Sequence, residues 1–302
     1  MKEYISLAQV REDIGKGSIT CVELTENYIQ KIKSSNLNAF LEVFATSAVE
    51  QAQLIDEKIK KGTAGRLAGM VIGLKDNICY KGHKVSSSSK ILEGFESIYN
   101  ATVVEKLLQE DAIIIGRLNC DEMAMGSSNE NSAYGPVLNP VQNDKVPGGS
   151  SGGSAAAVKA KLCLAALGSD TGGSIRQPAS FCGVVGYKPT YGRVSRYGLL
   201  AYASSFDQIG PLTNNIEDAA LITEIISGSD AYDSTCSTKP VEGYSNLRKT
   251  EPAPKYKIAY IKDCLDMPGL DKEIKAKIIN CRQLVVSVGG GIELWNMFSQ
   301  YL

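Results

Sequence analysis

Residues 147–176 read PGGSSGGSAAAVKAKLCLAALGSDTGGSIR, two glycine–serine clusters clamped around an apolar, alanine-rich segment. A flexible linker is the plainest reading of Gly/Ser clusters, but a linker joins domains, and both of these sit inside apolar sequence. The spacing predicts a helix over Ser154 to Lys161 and a strand over Leu162 to Leu167. Upstream, Met70-Val71-Ile72-Gly73-Leu74-Lys75 is a short apolar run ending on a lysine, and Ala112 to Gly116 is a second; both read as buried strands. Val184 to Tyr187 forms a further apolar run after the second cluster. Helices are expected over 20–33, where Thr20 and Glu23 have capping-box spacing and Leu24, Tyr28 and Ile32 share a face, over 47–61, over 101–110, and over 217–226, opened by Asn214-Asn215. Strands alternating with helices imply an α/β fold, a central sheet covered by helices. Residues 228–254 read as a polar surface connection, and 255–261, 271–285 and 291–295 as another strand–helix–strand unit. There is no internal repeat.

Bulk properties narrow the function classes. The chain has 302 residues, 43 % hydrophobic and 22 % charged, with 32 Lys plus Arg against 33 Asp plus Glu. It can bury a sizeable core, and it has no basic block of the kind a main polyanion binder carries. No apolar stretch reaches the roughly 18 residues of a membrane span, and the opening MKEYISLAQVREDIGKG resembles neither a signal nor a transit peptide. Eight cysteines include no CxxC pair, which argues against a zinc ribbon or dithiol site. Cys163 and Cys182 read as core packing in a reducing cytosol.

Two chemistries compete for the clusters. A phosphate cradle would use Gly-rich backbone N–H groups, yet neither GxxxxGKS/T nor GxGxxG occurs. A serine nucleophile fits better: glycines let consecutive N–H groups converge on one point, and Thr171, Gly172, Gly173 and Ser174 would form an oxyanion hole. Such a serine needs a base. The one histidine, His83, lies in KGHK before a run of serines and reads as a solvated loop residue. A lysine serves only if burial leaves it neutral, and Lys75, closing an apolar strand, is the best placed.

Together, GLKDN around Lys75, GGSSGGS around Ser150 and GSDTGGSIRQP around Ser174, with the two serines 24 positions apart, resemble the three motifs of the amidase signature family. The stretches 91–115, 121–136 and 183–211 place the likeness with members that hydrolyse glutamine for tRNA-dependent amidation. The resemblance implies Ser174 as the acyl-forming nucleophile, Ser150 as a bridging serine on a cis peptide, and Lys75 as the base. It implies glutamine as substrate and ammonia as product. It also implies a heterotrimer in which a B subunit carries ATP, magnesium and most contacts to a mischarged Glu- or Asp-tRNA, and a small C subunit braces the two. The fold implied is a mixed twisted sheet with helices on both sides. On this reading 1–302 is one amidase domain: a helical region at 1–66, a catalytic core at 67–227, the connection at 228–254, and the start of a C-terminal part at 255–302. Family members are longer, so the sheet is expected to be incomplete at the C-terminus, with residues gripping the α-amino and α-carboxylate groups of the substrate lying beyond 302. Two other readings stand beside this one: an amidase acting on another amide, and an assembly subunit without catalysis.

Overall fold

The computed structural model describes residues 2–246, 257–287 and 291–295. The chain divides into two compact units, Met1–Asn246 and Leu247–Leu302, where the sequence reading takes 1–302 as one domain.

The first unit is built on a six-stranded mixed sheet. In chain order its elements are α1 (Leu7–Gly15), α2 (Cys21–Ser34), β1 (Phe40–Val43), α3 (Ala45–Lys61), β2 (Val71–Lys75), α4 (Thr102–Gln109), β3 (Ile113–Leu118), α5 (Gly152–Lys159), β4 (Ala165–Asp170), α6 (Arg176–Cys182), β5 (Val185–Gly186), β6 (Gln208–Thr213) and α7 (Ile216–Ile226). The strand order is β1-β3-β2-β4-β6-β5. β2 runs parallel to both β3 and β4, and the outer pairings are antiparallel. All five residues of β2 are buried, as expected of a strand with parallel neighbours on both edges and helices over its faces. α5 packs on β2, β3, β4 and β6, α3 on β3, α7 on β6, α2 on α3, and α4 on α7.

Local chemistry starts the helices where the sequence predicts. Thr20 caps α2: its hydroxyl accepts from Glu23 N at 3.1 Å and the Glu23 carboxylate accepts from Thr20 N at 2.8 Å, the reciprocal box. Leu24, Tyr28 and Ile32 on that helix are buried. Asn215 caps α7 by accepting from Asp218 N.

The expected strand at 162–167 lies three residues further on, at Ala165–Asp170. Lys161 takes a left-handed conformation (φ 57°) and Leu162 N donates to Ala157 O, so Leu162 closes the end of α5 instead of starting the strand. Pairing begins where Ala165 meets Ile72. Four elements of this unit were not expected: α1, β1, α6 and β6. β6 contains Gly210 and Pro211, residues that weaken a strand reading, yet it pairs with β4 along its whole length, from Ala165↔Thr213 to Asp170↔Gln208.

In the second unit β7 (Lys257–Ile261), α8 (Lys262–Leu265), α9 (Lys272–Ser287) and β8 (Gly291–Trp295) are described. β7 and β8 pair in parallel, matching the strand–helix–strand expected there. The part of the expected surface connection at 247–254 lies outside the described residues. No helix among the described residues is long and apolar enough to cross a membrane.

Candidate active site

The two parallel pairings of β2 bring the C-terminal ends of β2, β3 and β4 to one edge of the sheet, where ligand sites of open α/β sheets form. β6 starts at that edge, since Gln208 pairs with Asp170. Lys75 ends β2, Asn119-Cys120-Asp121 follow β3, Ser169 and Asp170 end β4, and Asp207 precedes β6.

Lys75 is fully buried. Its Nζ donates to Ser150 Oγ at 2.6 Å and to Ser169 Oγ at 2.9 Å, and stands 3.4 Å from Ser169 O. Asn77 Nδ2 donates to the same Ser169 hydroxyl at 2.9 Å. Burial without a bonded carboxylate brings the Lys75 pKa down to about 8, against the opposing pull of Cys120, Asp121, Asp170 and Asp207. About one tenth of this amine is therefore neutral at pH 7, with a lone pair available to accept a hydroxyl proton.

The Gly149–Ser150 peptide is cis. Ser150 is buried and its carbonyl accepts from Asp121 N at 3.2 Å. Ser151 ties the two serine clusters together: its hydroxyl donates to Ser169 O at 3.1 Å and its N–H donates to Ser174 O at 3.0 Å. Ser174 is half-buried. Its backbone is joined to the first cluster through Ser151, but among the described residues its hydroxyl is hydrogen-bonded to neither Ser150 nor Lys75. The structure thus brings Lys75 and Ser150 into direct contact and places Ser174 on the adjoining loop.

That loop is shaped by Asp170. Its buried carboxylate accepts from Gly173 N at 2.7 Å, Ile175 N at 3.0 Å, Arg176 N at 3.3 Å, and the Arg176 guanidinium at 3.0 and 2.9 Å. Burial disfavours its charge, but Arg176 and the three N–H groups outweigh this and its pKa is lowered. Gly173 takes φ 133°, which L side chains rarely adopt. Of the four expected oxyanion donors, Gly173 has its N–H engaged by Asp170. The N–H groups of Thr171, Gly172 and Ser174 have no protein acceptor among the described residues.

His83 is placed elsewhere. Its ring stacks on Tyr80 at 4.1 Å, lies 4.1 Å from Phe44, and meets Ser47 Oγ and Lys81 O. It is half-buried in an aromatic pocket, where a solvated loop was expected, and bonds neither serine. Sequence reasoning missed Ser169, Asn77, Asp170 and Arg176. All four lie inside the quoted motifs, but only strand register reveals that the end of β4 brings Ser169 beside Lys75.

Two glycines test the packing. A Cβ at Gly149 would lie 1.9 Å from Asp121 Oδ2 and 2.9 Å from Ser128 N, whereas a Cβ at Gly172 meets nothing within 4 Å. Gly149→Ala is expected to lower stability by about 1–3 kcal/mol, and Gly172→Ala by less than about 0.5 kcal/mol. Chemical-denaturation midpoints of the two variants check this.

The Amidase family model matches residues 23–299. The A subunit of glutamyl-tRNA(Gln) amidotransferase from Chlorobium phaeobacteroides is 49 % identical over 285 residues, covering 93 % of this chain and 60 % of that protein. The protein of the same name from a Synechococcus species is 47 % identical over 288 residues, covering 94 % and 59 %. Among solved structures, the corresponding A chain of the Thermotoga maritima glutamyl-tRNA(Gln) amidotransferase superposes with a TM-score of 0.79 at 39 % identity, covering 93 % of this chain and 62 % of that one. The native peptide amidase from Stenotrophomonas maltophilia gives 0.84 at 30 % identity, covering 96 % and 61 %. The chain spans about 60 % of the length of the curated relatives it matches.

Proposed function

Because the chain belongs to the amidase family, we propose that it hydrolyses the side-chain amide of glutamine to glutamate and ammonia, as the glutaminase component of a tRNA-dependent amidotransferase. The observation that carries this reading is the fully buried Lys75, whose amine meets Ser150 Oγ at 2.6 Å with its pKa lowered by burial. Neutral Lys75 takes the Ser150 proton as Ser150 takes that of Ser174, and Ser174 Oγ attacks the amide carbon. The N–H groups of Thr171, Gly172 and Ser174 receive the charge developing on the carbonyl oxygen. The proton returns along the same path to the nitrogen as the C–N bond breaks and ammonia leaves. Water, activated by the same base, then cleaves the acyl ester at Ser174.

Glutamine as the substrate is supported by the 47–49 % identity to proteins named as the A subunits of glutamyl-tRNA(Gln) amidotransferases, against 30 % to a peptide amidase. On this reading the ammonia passes to a B subunit that holds ATP, magnesium and the mischarged tRNA, a C subunit braces the pair, and the complex works in the cytoplasm. The test is to co-express the chain with such partners and supply either amide-labelled glutamine or a C-terminally amidated peptide. Ammonia from glutamine is the expected outcome; ammonia from the peptide alone would make the chain a different amidase.

A further inference from the structure

We propose that Asp207 is a positioning residue that fixes the Thr171 corner of the oxyanion loop and joins it to the 202–206 loop; this rests on the reading of Ser174 as the nucleophile. The Asp207 carboxylate is 2 % exposed. It accepts from Thr171 Oγ1 at 2.5 Å, from Tyr202 N at 2.9 Å, and from Ala203 N at 3.1 Å. Charge-assisted bonds of this kind are short and directional. Asp170 holds the far half of the oxyanion loop, residues 173–176, but reaches neither Thr171 nor Gly172. That near half is not held by packing either: Gly172 is exposed, and a Cβ there would find no neighbour within 4 Å. The Thr171 hydroxyl is its side-chain tether, and two of the three N–H groups left to act as oxyanion donors belong to this corner.

The other side of Asp207 organises the loop before β6. Phe206 N and Asp207 N both donate to Ala203 O, closing a turn. Ser204 O accepts from Tyr191 Oη at 3.0 Å and from the Arg196 guanidinium, which in turn pairs with Asp233. The loop is thus fastened to the body of the unit while Tyr202 and Phe206 stand 49 % and 66 % exposed beside the site. Anything contacting those rings is linked to the oxyanion donors through one carboxylate and one hydroxyl.

The experiment compares the wild-type chain in its complex with Thr171→Val, Thr171→Ser, Asp207→Asn and the Val/Asn double variant. One readout is the rate at which a fluorophosphonate probe labels Ser174, followed by intact mass. The other is backbone hydrogen exchange over residues 171–176. Thr171→Val and Asp207→Asn are each expected to slow labelling by about 10- to 100-fold, below the roughly 10²–10³ lost with a whole oxyanion donor. The double variant should be no slower than the worse single, and Thr171→Ser should restore the rate. Exchange over 171–176 should quicken in Thr171→Val and Asp207→Asn and stay unchanged in α2 and α3. Unchanged exchange in Thr171→Val, which removes a half-buried hydroxyl and leaves the fold intact, would overturn the proposal, as would a double variant slowed by the product of the singles. If wild-type Ser174 is not labelled at all, the nucleophile reading fails, and the exchange measurement alone still decides the role of Asp207.

Discussion

Replacing Ser174 with alanine is expected to abolish glutamine hydrolysis, lowering kcat by about five to six orders of magnitude, and to remove the acyl-enzyme altogether. Ser174 is the half-buried serine of the second cluster, and it stands beside the N–H groups of Thr171 and Gly172, which have no protein acceptor among the described residues. Residual turnover would reflect only substrate binding and the oxyanion donors, which retain about 10³–10⁴ over water in serine hydrolases stripped of a triad member. Ser150→Ala would interrupt the proposed proton path between Ser174 and Lys75 and is expected to cost about 10²–10⁴. Intact-mass detection of the acyl-enzyme together with ammonia release checks both. A Ser174→Ala enzyme retaining more than a few per cent of activity would show that the nucleophile lies elsewhere.

The second large effect concerns Lys75. With a pKa of about 8, about one tenth of the amine is neutral at pH 7, so kcat is expected to rise tenfold per pH unit up to about 8 and then level off. Lys75→Met should remove this limb and about 10³-fold or more of the rate, whereas His83→Ala, which alters an aromatic stack away from the serines, should leave turnover within about twofold. The same lowered pKa costs stability. A lysine whose folded pKa lies below its unfolded value binds fewer protons when folded, so stability rises with pH between about 8 and the unfolded value near 10.4. Below pH 8 the cost of charging a buried amine is fully present. At pH 7 Lys75→Met should therefore be more stable than wild type, by about 1–2 kcal/mol. A variant both inactive and markedly less stable would mean that Lys75 is there for packing.

Lys75 was legible because a charged residue closing a run of apolar ones is conspicuous, and the two serines because glycine clusters rarely interrupt apolar sequence. Composition and period also located α2, α3, β2 and β3, whose faces are unambiguous. The remainder depended on tertiary register. Ser169 and Asn77 look like ordinary motif residues until β4 is paired with β2. The sequence Gln208 to Thr213 does not announce a strand, because its glycine and proline are tolerated only through the partner it finds in β4. His83 resembled a loop residue because the aromatic pocket around it is completed by Phe44, which lies far earlier in the chain, on the other side of Tyr80.

The placement of β2 between two parallel partners also governs when the site can exist. Lys75 and Ser150 are 75 residues apart in sequence, and Lys75 and Ser169 are 94 apart. Contacts of such separation form late, because long loops must close before any pairing rewards them. As the chain leaves the ribosome, β2 and β3 can associate early, but Lys75 keeps one flank open until β4 arrives, and β4 has no outer partner until Thr213 of β6 has emerged. Until then the enclosure that lowers the Lys75 pKa is incomplete. The neutral amine is therefore acquired during folding, and a nascent chain halted before β6 would carry every residue of the trio without the burial that frees the Lys75 lone pair.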